Sequence, residues 1–144
     1  MKKLLVLDVN GVLGIKEKRF IYYKGVKEFI DYSFLNYEVA FFSSMKEENL
    51  HKILINLLTT EQILRAKFIY GRAETEPDPD PINNWDTIKD IQKIRGRYPE
   101  YQVLACDDDI RKLRFNSTED YVIVPKYTSN HFDNLKGLIE GKFK

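Results

Sequence analysis

Leu4 to Leu7 is an unbroken apolar run that stops on Asp8 and is followed by Asn10-Gly11. A short run with no polar alternation suits a strand buried on both faces, as in a parallel sheet covered by helices. Four further segments read as strands: Glu38 to Phe42, ending at Ser43-Ser44; Lys67 to Tyr70; Gln102 to Cys106, ending at Asp107-Asp108-Asp109; and Tyr121 to Val124. Helical spacing fills the intervals. Val26, Phe29, Ile30 and Phe34 predict a helix over residues 25–35. Leu50, Ile53, Leu54, Leu57 and Leu58 predict another, opening near Ser44 with Glu47 three residues on as a capping box. A short piece covers residues 60–65. Ile88, Ile91 and Ile94 place residues 85–94 on a helix, and Phe132, Leu135, Leu138 and Ile139 a last one. Strands alternating with helices predict an α/β fold, a parallel sheet flanked on both faces. A length of 144 residues suits one domain spanning 1–144.

Several function classes find no support. A net charge of +1 gives no reason to expect nucleic-acid or acidic-membrane binding. Arg111, Lys112 and Arg114 form a tight cationic cluster, expected to be a solvated helix face. The single Cys106 rules out an internal disulfide and is expected to be a buried, inert thiol. No apolar run approaches the roughly 18 residues of a membrane span, and the apolar start runs directly into Asp8 without a cleavage signal, so an intracellular, soluble protein is expected. His51 and His131 are expected at surface or capping positions. The Pro- and acid-rich stretch from Gly71 to Asn84, containing Glu74 to Asp80, reads as an exposed loop. Oligomeric state is not written in the sequence.

Ligands of parallel α/β sheets bind beyond the carboxyl ends of the strands. Asp8 and Asn10, Ser43 and Ser44, and Asp107 and Asp108 stand at such ends, with Lys89 on the helix before the fourth strand. Converging carboxylates repel unless a hard cation joins them. Mg²⁺ is the natural candidate, since it combines one or two carboxylates with substrate phosphate. Lys89 offers charge, Ser43 a hydroxyl and the backbone after Asp8 its N–H groups to a phosphate. Asp8 beside a bound phosphorus has the arrangement needed for an aspartyl-phosphate.

Leu4 to Leu13 resembles the first motif of the haloacid dehalogenase superfamily. Phe41-Phe42-Ser43-Ser44 is similar to its second motif, Ile88-Lys89-Asp90-Ile91 to its lysine segment, and Val103 to Lys112 to its fourth. Tyr23 to Ile30 resembles a stretch of the branch containing phosphatases of the RNA polymerase II carboxyl-terminal domain. The resemblance implies a Rossmann-like parallel sheet with Mg²⁺ as cofactor. It implies Asp8 as nucleophile and metal ligand, Ser43 and Lys89 on the phosphate with Ser44 beside them, and Asp107 and Asp108 serving the metal with the Asn10 carbonyl.

One position departs from the family pattern. The family's phosphatases carry a second aspartate where this chain has Asn10, and an amide neither protonates a leaving group nor activates water. Three outcomes follow: slow phosphomonoester hydrolysis; recruitment of another acid, such as Asp109 or one from Glu74 to Asp80; or a module that binds a phosphorylated partner without turnover. The brief stretch from Asn10 to Lys24 excludes a large cap domain. An open site favours a phosphorylated protein and also admits a small phosphate ester.

Overall fold

The computed structural model describes residues 1–143. In chain order the elements are β1 (Lys2–Leu7), β2 (Gly14–Lys16), β3 (Phe20–Tyr22), α1 (Val26–Asn36), β4 (Glu38–Phe42), α2 (Glu47–Leu57), α3 (Thr60–Arg65), β5 (Ile69–Tyr70), β6 (Glu76–Pro77), β7 (Thr87–Ile88), α4 (Ile91–Arg97), β8 (Tyr101–Asp107), α5 (Ile110–Leu113), β9 (Tyr121–Ile123) and α6 (His131–Lys142). Five strands form the main sheet in the order β5-β4-β1-β8-β9, every pair parallel. The expected α/β architecture is therefore present.

The unbroken apolar run of β1 is explained by its central place. Leu5 and Leu7 join one core with residues such as Phe29, Ile30, Leu54, Leu135 and Ile139, while Leu4 and Val6 join a second with Ile91, Ile94 and Leu113. Alternate side chains of one strand thus feed two cores, one under α1, α2 and α6 and the other under α4 and α5. Truncating a fully buried leucine such as Leu7 to alanine costs about 2–5 kcal/mol.

Register brings the strand ends together. Leu7 lies opposite Phe41 on one side and Cys106 on the other, and the Asp8 amide continues the ladder to the Cys106 carbonyl at 2.9 Å. Asp8 and the last residue of β8, Asp107, are therefore neighbours by construction.

Several local expectations give way. Residues 85–94 are not one helix: the Asp86 carboxylate accepts the amides of Ile82 and Asn83 at 2.9 Å each, Thr87 and Ile88 pair with β6, and Asp90 caps α4 by accepting the Lys93 amide. Lys89 consequently lies in the extended link before α4. The helix after Ser44 begins only at Glu47, with Lys46 extended. The expected box of Ser44 and Glu47 does not form: Lys46 is the N-cap without a side-chain cap bond, and the Glu47 carboxylate accepts the Ala73 amide at 3.0 Å, while Ser43 Oγ accepts the Met45 amide at 3.1 Å. A capping box does form at Thr59 and Gln62. Leu138 is exposed on α6.

The stretch from Gly71 to Asn84 is more ordered than a surface loop. It contains β6, and Asp78 is buried against Arg111 and Arg114. That pairing also overturns the reading of the cationic cluster as a merely solvated face. Among the described residues, no helix is long and apolar enough to cross a membrane. The insertions near the site are the β2–β3 hairpin and the β6–β7 ribbon.

Candidate active site

The site lies beyond the carboxyl ends of β4, β1 and β8. Asp8, Asn10, Ser43, Ser44, Asp107 and Asp108 all line one open cavity of about 320 Å³, with Met45, Asp109 and Lys112 completing its wall. The six strand-end residues expected at the site are thus brought together.

Lys89 sits beneath the cavity floor, on the face of the sheet that carries Leu4 and Val6. Its ammonium donates to Asp107 Oδ2 at 2.6 Å and to the Phe42 carbonyl at 2.7 Å, and stands 3.4 Å from Asp8 Oδ1. Lys89, Asp8 and Asp107 are all buried. The link that carries Lys89 is fixed at both ends of the residue: its amide donates to the Lys112 carbonyl at 2.8 Å and its carbonyl accepts Asn116 Nδ2 at 2.8 Å.

Electrostatics mark this as a site built for more positive charge than the chain supplies. Burial and the neighbouring Asp107 carboxylate push the Asp8 carboxyl well above the ordinary range, and the Lys89 ammonium only partly opposes this. Partial desolvation at the mouth of the cavity pushes the exposed Asp108 up to about 6, with Asp107 adding to the effect. Burial disfavours the Lys89 ammonium, but the Asp8 and Asp107 carboxylates outweigh it and hold its pKa up. Two buried carboxylates therefore share one ammonium, with the Asp108 carboxylate beside them.

Asp8, Asp107 and Asp108 each place a carboxylate oxygen within 4.8 Å of the other two. Three hard oxygen donors with unbalanced negative charge fit Mg²⁺. The loop between Asp8 and the hairpin makes room for this cluster. Gly11 has φ +84°, and a Cβ there would collide with the Asp108 carboxylate, so both conformation and space require glycine.

Asn10 is exposed, and its side-chain oxygen accepts the Lys16 amide at 2.8 Å. The acids suggested as substitutes differ in placement. Asp109 lines the cavity while capping α5 through the Arg111 amide at 2.9 Å. None of Glu74 to Asp80 lines it: Glu74 pairs with Arg97, Glu76 with Lys93 and Asp78 with Arg111 and Arg114.

His131 was misplaced by the sequence. It is buried, and its Nε2 is 2.9 Å from the carbonyl of Val12, which anchors α6 to the loop that follows Asp8. Its ring also packs edge-on to Tyr23 and Phe132. Its position at the start of an amphipathic helix was visible, but nothing in the spacing signalled a partner 119 residues away. His51 is exposed, as expected. Cys106 is buried, and burial pushes its thiol pKa upward, so it stays protonated.

Known proteins share this arrangement of elements. An uncharacterised protein from Listeria monocytogenes serotype 4b superposes with a TM-score of 0.58 at 11% identity, covering 97% of this chain and 98% of that one. A protein from Vibrio cholerae assigned as a 3-deoxy-D-manno-octulosonate 8-phosphate phosphatase gives 0.54 at 13% identity, covering 98% and 84%. A Legionella pneumophila protein assigned as a hydrolase of the HAD superfamily, subfamily III A, gives 0.52 at 14% identity, covering 98% and 83%. At such identities the likeness is one of fold alone. No curated protein matches in sequence. The sequence profile of the NLI interacting factor-like phosphatases matches residues 3–141. With that match spanning nearly the whole chain, the protein belongs to the NLI interacting factor-like phosphatase family.

Proposed function

We propose that the protein hydrolyses phosphomonoesters with Mg²⁺ as cofactor, through a phosphoryl group carried on Asp8. The observation that carries this reading is the buried cluster of Asp8, Lys89 and Asp107 at adjoining strand ends, with Asp108 at its mouth. Asp8, Asp107 and Asp108 would hold the metal, as would the Asn10 carbonyl. The ion supplies charge neutralisation between the carboxylates and the phosphoryl oxygens.

The chain's own groups do the rest. An Asp8 carboxylate oxygen forms a bond to phosphorus while the bond from phosphorus to the ester oxygen breaks, and the departing alkoxide takes a proton from water. Ser43 and Ser44 face the cavity and offer hydroxyl donors to the phosphoryl oxygens, and Lys89 favours the ionised form of Asp8 from below. Water then attacks phosphorus, releasing inorganic phosphate and restoring Asp8. Asn10 contributes no proton to either step, so turnover falls below that of a relative with a carboxylic acid there by about 10²–10⁴-fold. The open cavity suits a phosphorylated protein, and a small phosphate ester also fits.

A second reading rests on the same residue. With Asn10 in place of an acid, the domain binds a phosphorylated partner and does not turn it over. One experiment separates the two. The parent, Asp8→Asn and Asn10→Asp proteins are incubated with Mg²⁺ and p-nitrophenyl phosphate. Release of nitrophenol by the parent, lost in Asp8→Asn, supports hydrolysis. A silent parent with an active Asn10→Asp supports the binding module. Silence in all three counts against a competent site.

A further inference from the structure

A second concavity adjoins the catalytic one. It holds about 380 Å³ and is walled by four cationic side chains, Lys16, Lys46, Lys52 and Arg72. Met45 belongs to the walls of both cavities, so the two are neighbours across that side chain. No carboxylate lines the second cavity. Among the described residues, none of its four cations forms an ion pair with a carboxylate. In a chain of net charge +1, four uncompensated cations around one hollow constitute a local anion trap.

The hollow is held to the reaction site by the backbone. Arg72 Nε donates to the Ser44 carbonyl at 3.1 Å, and the Arg72 amide to the Met45 carbonyl at 2.8 Å. Lys16 and Phe20 are register partners on one face of the β2–β3 hairpin, and the Lys16 amide is bound by Asn10. Arg72 and the hairpin backbone at Lys16 are therefore held beside Ser44 and Asn10.

We propose that this groove binds a second phosphoryl group on a polypeptide substrate whose first phosphoryl group lies at Asp8. The inference rests on the phosphatase reading and adds the substrate class. Charge complementarity favours two discrete phosphates over a continuous polyanion. Asp109, at the end of β8 and across β1 from the groove, stands on the other side of the catalytic cavity, where a nucleic-acid backbone would meet like charge. Arg111 and Arg114, the other cationic cluster, are already engaged by Asp78. Phe20, Met45 and Ile53 give the groove an apolar floor for the carbon stems of a peptide.

The test compares synthetic peptides bearing one phosphoserine with peptides bearing two, separated by about one to four residues. Phosphate release is followed with the parent and the Lys46→Ala/Lys52→Ala protein. The expected result is kcat/KM about tenfold higher for the doubly phosphorylated peptide in the parent, falling to near parity in the variant. Parity in the parent, or a preference that persists in the variant, overturns the proposal. An equal gain with glutamate replacing the second phosphoserine reassigns the groove to carboxylates and overturns it as stated. So does a higher kcat/KM on a 3′-phosphorylated oligonucleotide. If no substrate is hydrolysed, the phosphatase reading fails, and peptide binding to Asp8→Asn by fluorescence anisotropy still judges the groove. Tighter binding of the doubly phosphorylated peptide supports it; equal binding sinks it.

Discussion

The Asn10 side-chain oxygen accepts the Lys16 amide at 2.8 Å, tying the loop after Asp8 to the β2–β3 hairpin. A carboxylate at position 10 accepts the same N–H. Asn10→Asp therefore keeps the strut and adds a titratable oxygen beside the cavity. In the presence of Mg²⁺, Asn10→Asp raises turnover of p-nitrophenyl phosphate by about 10²–10⁴-fold, with the melting temperature near that of the parent. An unchanged rate would mean that proton transfer does not limit this reaction.

Lys89 is the sole ammonium between two buried carboxylates, so its loss is costly. Lys89→Ala leaves Asp8 and Asp107 without their counter-charge, and breaking a buried pair from one side costs about 3–5 kcal/mol. Urea denaturation of the metal-free protein should show that loss. The combination Lys89→Ala/Asp107→Asn should lose less than the sum of the two single changes, because the groups are in direct contact.

The excess of carboxylates sets a pH and metal dependence. The Asp108 carboxyl is held at about 6 in the fold against an ordinary value of 3.8. The folded state thus binds the extra proton across that window. The contribution of Asp108 to stability falls as pH rises from about 4 to about 6 and is flat above. Melting curves should show Asp108→Asn to be more stable than the parent near neutral pH without metal. Mg²⁺ should raise the parent's melting temperature more at pH 7 than at pH 5, and should do less for the variant.

Asp78 behaves in the opposite sense. The hydrogen bond from Arg114 holds its carboxyl below the usual range, with Arg111 adding to the effect. Its stabilisation is present above the ordinary value of 3.8 and is lost as pH falls through the lowered one. Asp78→Asn should lower the melting temperature at neutral pH, and the gap from the parent should close under strong acid. Hydrogen exchange should speed up in residues 76–88, because that ribbon is anchored to α5 through this carboxylate.

What could be read beforehand followed from periodicity. The continuous apolar runs of β1 and β8 revealed strands buried on both faces, and the polar residues closing them fell at the ligand-binding end of the sheet. Asp8, Ser43 and Asp107 could be placed from that logic. Lys89 could be named but not positioned, because Ile88, Ile91 and Ile94 mimic a helical stripe while Ile88 belongs to a strand. Pro77 and Pro79 already favoured extended backbone, and that signal could have revealed β6. The bonds from Asp78 to the arginines and from His131 to Val12 join distant segments through single polar contacts, which leave no periodic trace in a sequence.

Cys106 stands directly before Asp107, walled in by its neighbours and kept as a neutral thiol. The hydrolysis proposed for Asp8 has no use for a sulfur nucleophile, and this one is out of reach of solvent. Alkylating agents and mild peroxide, which silence phosphatases that depend on a reactive thiolate, should leave the native fold unlabelled and its activity intact. Labelling would begin only when β8 is pulled from the sheet, which makes the same residue a reporter of global unfolding.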